Sequence, residues 1–116
     1  MAFSQDTIEA KVRENCNDID ASTWPDVRFF PYFLEAERWI YDNVQGAKIG
    51  ATGAITAFVA AATKSTSSIL DDQYQNAIAD YMAYSYFNAD RGDKRDAARA
   101  DNFLARFLAH FGKTKL

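Results

Sequence analysis

A chain of 116 residues has the length of a single domain with one core and little else. Charged residues make up 25% and hydrophobic ones 48%, which excludes a disordered, collagen-like or disulfide-scaffold chain. A formal net charge of −3 supplies no general basic field to recruit nucleic acid or an anionic membrane. The aromatic content stands out: nine Phe, six Tyr and two Trp, more rings than one small core should hide. Protein interfaces favour such residues.

The first helix begins near Ser4 or Asp6 as cap, with Glu9 in capping-box position after Asp6. Ile8, Val12, Cys16 and Ile19 form its apolar stripe, and Glu9, Lys11, Arg13 and Glu14 are expected to face water. Residues 17–22 end it as a polar turn. Thr23-Trp24-Pro25-Asp26 reads as a second helix start, with Thr23 as N-cap and Pro25 in the first turn. The segment Val27–Val44 follows, with Phe29, Phe33, Ala36, Ile40 and Val44 on one stripe and Phe30, Glu37 and Tyr41 beside it. Pro31 predicts a kink, or a short turn over 24–30 followed by a longer helix from Pro31.

Residues 45–69 are nearly uncharged and rich in Ala, Thr, Ser and Gly. Their spacing fits both helix and strand, and the Thr and Gly content favours an irregular loop or hairpin arm. A third helix is capped by Asp71 or Asp72, with Tyr74, Ala77, Ile78, Tyr81, Met82 and Ser85 on one face and Tyr84 and Phe87 at its edge. Asp90-Arg91-Gly92-Asp93 turns the chain. The fourth helix, Lys94–Phe111, places Ala97, Ala100, Phe103, Leu104, Phe107, Leu108 and Phe111 at i, i+3, i+4, i+7 spacing. Gly112 suits its C′ position, and Lys113 and Lys115 complement the negative end of the dipole. The expected fold is all-α: a small bundle of about four helices over 1–116, with an irregular middle at 45–69 and a tail at 112–116.

Few residues suit catalysis. Cys16, the only cysteine, excludes an intramolecular disulfide and reads as a buried, inert thiol. His110 is the only histidine, with no nucleophile elbow or set of metal ligands around it. Arg91-Gly92-Asp93 matches an adhesion tripeptide but is explained by a turn between helices. Gly50-Ala51-Thr52-Gly53 lacks the Lys of a phosphate-binding loop. Asp71/Asp72 are explained by capping, and Glu35/Glu37 by a solvated face. These features point away from an enzyme and from a cofactor. No apolar run reaches the length of a membrane helix. The start of the chain lacks a basic, then apolar leader, which predicts assembly inside a cell.

Charge is unevenly distributed: −5 over residues 1–46, −1 over 47–89 and +3 over 90–116. A basic last helix either pairs with the acidic first half inside one chain or docks head-to-tail on another copy. Its interleaved Asp93, Asp96 and Asp101 argue against a phosphate-tracking stripe. Phe29, Phe33, Phe103 and Phe107 are assigned to the core. Trp24, Tyr32, Trp39 and Tyr86 fall off the main stripes and are candidates for contact with other chains.

The order of features resembles the small helical adaptor, or head–tail connector, proteins of tailed bacteriophages. Ile8 to Asp18 is similar to the family's opening helix and polar turn. Thr23-Trp24-Pro25-Asp26 with Phe29, Phe30, Phe33, Ala36, Glu37, Arg38 and Ile40 resembles its second helix. Tyr74–Asp90, centred on Ala79-Asp80-Tyr81-Met82-Ala83-Tyr84, and Ala97-Ala98 to Phe111 look like its closing helix pair. Pro31 and the segment 45–69 depart from the pattern. The resemblance implies a non-enzymatic virion protein, made in the host cytoplasm and placed at the head–tail neck. It implies a homo-oligomeric ring, usually a dodecamer, seated below the portal. Such a ring extends the DNA channel without sequence-specific binding and offers a docking surface to a downstream tail or connector protein. On that reading Lys113 and Lys115 reach the portal or a neighbour, and Asp18, Asp20 and Asp42 line the channel. The alternative is a generic helical interaction module or tail-assembly partner acting as monomer or dimer.

Overall fold

The segment Gln75–Asn88 has almost no polar side: Ala77, Ile78, Ala79, Tyr81, Met82, Ala83 and Phe87 point in every direction around a helix. A helix that is apolar all round belongs in the middle of a bundle. The computed structural model describes residues 3–16, 24–44, 47, 57–89 and 91–114. There this segment is helix α3, and α1 (Gln5–Cys16), α2 (Asp26–Asn43) and α4 (Lys94–Ala109) all pack against it, α4 most extensively. The described residues contain no strand, and the fold is all-α.

Local chemistry sets the helix ends. Asp71 accepts from the Asp72 N–H at 2.8 Å and opens a 3₁₀ turn, Asp72–Tyr74, that runs into α3. Asp93 caps α4 by accepting from the N–H groups of Arg95 (2.8 Å) and Asp96 (3.2 Å). α4 closes with a Gly112 at φ 68°, the Lys113 N–H bonding Leu108 O at 3.0 Å and the Gly112 N–H bonding Ala109 O at 3.2 Å. This is the Schellman arrangement that the sequence suggested.

Several expectations change. Pro25 itself is the N-cap of α2, with extended backbone and no side-chain cap bond, while Thr23 lies outside the described residues. One helix runs through Pro31 rather than two segments meeting there. Proline removes the bond to the Val27 carbonyl, but both residues are exposed, so water can reach that oxygen. Arg13 and Glu37, expected in solvent, are 6% and 0% exposed, and Trp24, expected on the surface, is 3% exposed. The Trp24 ring packs on Phe29, Tyr32 and Tyr86 at 4.9, 5.6 and 5.3 Å, and the Arg28 guanidinium covers it at 4.1 Å. Of the middle segment, residues 57–70 form an irregular strap with a turn at Thr63–Thr66; 45, 46 and 48–56 lie outside the described residues, as do Ile19 and the polar turn after it.

Candidate interaction surface

The strap is held by polar groups rather than by its own periodicity. Glu37 is buried on α2, where one carboxylate oxygen accepts the Ala61 N–H at 3.2 Å and the other the Ser68 hydroxyl at 2.6 Å. Ser68 Oγ in turn accepts the Leu70 N–H at 3.1 Å. Burial pushes the Glu37 carboxyl above its usual range, and its two hydrogen bonds pull it partly back. At the other end of α2, Asp26 bridges Lys64 of the strap (2.6 Å) and Arg13 of α1 (2.7 Å). Those two cations, Lys64 foremost, hold the Asp26 carboxyl down to about 2. Arg13 also donates to Trp24 O at 2.9 Å. Backbone bonds complete the fastening, from Asp6 N–H to Lys64 O and from Ser68 N–H to Phe3 O.

α4 packs on α3. Lys94, Arg95, Arg99 and Arg106 are exposed along α4. Arg99 pairs with Asp96 at 3.5 Å, and Arg91 of the preceding turn with Asp101 at 2.8 Å. Arg106 lies 3.5 Å from Asp80 of α3. Among the described residues, then, these bases pair within the last third and with α3 rather than with the acidic first half, where Arg13, Lys64 and Arg38 neutralise Glu9, Asp26 and Asp42 locally. Neither Lys94 nor Arg95 has an ion-pair partner among the described residues. The adhesion-like tripeptide is committed: Arg91 also donates to Asn88 Oδ1 at 2.6 Å, and Asp93 caps α4.

His110 stands between two clefts at the end of α4. One, of ≈ 490 Å³, is lined by Asn43, Val44, Tyr74, Phe111 and Lys113 among others. The second, of ≈ 460 Å³, is lined by Lys11, Asn76, Asp80, Arg106, Ala109 and His110. The buried Asp80 carboxylate sits 3.0 Å from His110 Nε2. Sequence reading passed over Asp80; an acid amid small and apolar residues at the centre of an apolar helix was the available signal.

The aromatic contact candidates divide. Trp24, Tyr32 and Tyr86 come together in the internal cluster already described, the latter two half-buried. Trp39 is half-buried against Phe107 and Phe111 of the α4 end, with rings 5.0 and 5.6 Å away. Lys113 is exposed, and Asp42 is exposed in an ion pair with Arg38 at 2.9 Å. Asp18, Asp20 and Lys115 lie outside the described residues. No helix of the described residues is long and apolar enough to cross a membrane. No protein-family model, curated protein or solved structure matches this chain.

Proposed function

We propose that the chain is a structural assembly protein of a tailed-phage neck, an adaptor that forms a ring below the portal, extends the DNA channel and receives the tail. The observation that carries this reading is the charge layout. Among the described residues the exposed Lys94 and Arg95 of α4 have no ion-pair partner, so a single chain presents a basic edge suited to head-to-tail docking on an acidic surface of another copy. The sequence resemblance and the all-α bundle support the same reading. On it the protein has no catalytic role and no cofactor, and DNA passes without sequence-specific contact.

Light scattering and electron microscopy test it on the purified protein, alone and mixed with the portal of the same phage. Rings on portal particles are expected. A chain that stays apart from the portal in the mixture overturns the proposal. The burial of Trp24 favours the second reading, a helical interaction module acting as monomer or dimer, because it removes one ring from the surface available for assembly.

A further inference from the structure

We propose that the cleft beside His110 binds a phosphate monoester group. Three helices converge on it: Lys11 from α1, Asn76 from α3, and Arg106 and His110 from α4. Asp80 is the only acid that lines it among the described residues, and it is buried with both oxygens engaged, one at 3.0 Å from His110 Nε2 and the other at 3.5 Å from an Arg106 nitrogen. Asp80 therefore acts as a positioning residue, fixing the guanidinium and the imidazole at the wall. Lys11 has no ion-pair partner among the described residues. Two permanent cations against one already satisfied carboxylate leave the cleft with a positive surplus.

The donor types suit an oxyanion. A guanidinium supplies several N–H groups in a fixed fork, an ammonium adds a mobile point charge, and the Asn76 amide adds neutral donors. Donors arriving from three helices match a tetrahedral group better than a planar carboxylate. The volume of ≈ 460 Å³ exceeds what a bare phosphate fills and falls in the range of small-molecule sites, leaving space for a small organic moiety. The inference is independent of ring assembly.

The test is an NMR titration of the ¹⁵N-labelled full chain at low salt with inorganic phosphate, glycerol phosphate and acetate at matched ionic strength. Saturable shifts of the Asn76 side-chain amide and the His110 ring are expected with both phosphates, at least about fivefold tighter than with acetate. Tighter binding of glycerol phosphate supports a phosphorylated small molecule as the occupant; tighter binding of inorganic phosphate overturns the monoester. Lys11→Ala, at an exposed side chain without an ion pair among the described residues, should weaken binding about five- to tenfold with an unchanged melting temperature. Arg106→Gln, which also takes a cation from the buried Asp80, should weaken binding by a similar factor with a lowered melting temperature. Arg106→Lys, which keeps the charge and loses the fork, should fall between Arg106→Gln and the parent. Shifts that do not saturate, that spread equally to Lys94, Arg95 and Arg99, that acetate reproduces at equal concentration, or that survive both substitutions overturn the proposal.

Discussion

α4 and the strap are both laid against the rest of the molecule, yet opposite physics holds them. α4 is attached by rings: Phe103 stacks on Phe87 at 5.8 Å, and Phe107 meets Tyr81 at 5.1 Å and Trp39 at 5.0 Å. The strap is attached by a buried carboxylate, a three-way ion cluster and backbone bonds. Apolar contact tolerates small shifts and is indifferent to pH, whereas hydrogen bonds to one carboxylate demand a fixed geometry and respond to protonation. The strap's attachment thus depends on the protonation of Glu37 and Asp26, whereas the ring contacts of α4 do not depend on protonation.

The largest effect should come from the apolar side. Phe107→Ala removes a fully buried ring from the α3–α4 contact and should cost about 3–5 kcal/mol in urea unfolding. Glu37→Ala orphans the Ala61 N–H and the Ser68 hydroxyl and should cost about 2–3 kcal/mol. Amide exchange should then accelerate at Ala61 and Leu70 before it does so in α4. Glu37→Gln sharpens the contrast. Because the folded carboxyl titrates above its usual 4.5, its contribution is complete below that value and is lost as pH rises through the raised one. Unfolding midpoints measured from about pH 4 to pH 8 should fall less in the Gln variant than in the parent.

Asp26 has the reverse sign. Its carboxyl is held at about 2 against an ordinary 3.8, so its stabilisation is present above 3.8 and lost as pH falls toward 2. The side chain is 32% exposed, and with that solvent screening Asp26→Asn should cost only about 1 kcal/mol near neutral pH. Acid-unfolding curves of the two proteins should converge at low pH. The smallest effect on stability belongs to the α4 surface: Arg95→Glu should stay within about 0.5 kcal/mol of the parent in thermal melts. The proposed function predicts that the same change removes portal binding in a pull-down, and unchanged binding would count against the charge-docking account.

How much of this could be read beforehand follows the same division. α1 and α4 were legible because burial there repeats with the helical period, α3 because a long apolar run follows the Asp71 cap although its burial goes all round, and Gly112 because only a residue tolerant of positive φ suits that turn. The strap's irregular character was legible over 57–69, but its path was not, since its conformation is set by Glu37, 24 positions from Ala61 and 31 from Ser68. Arg13 and Glu37 were misassigned for one reason: a charged residue at a helix edge reads as solvated unless its partner is known, and both partners sit in distant segments. For the candidate surface, the outward bases of α4 were evident from spacing, while the cleft at His110 needed α1, α3 and α4 brought together.

The two tryptophans lie on the two sides of this division, which makes the protein its own optical instrument. Trp24 is enclosed beside α1 with a guanidinium over its ring, and Trp39 is half-open to water at the α4 end. Their emission should differ in wavelength and in access to quenchers. Trp24→Phe and Trp39→Phe would each leave a single reporter, so that detachment of the N-terminal half and of α4 can be followed separately in the same solution without any added label.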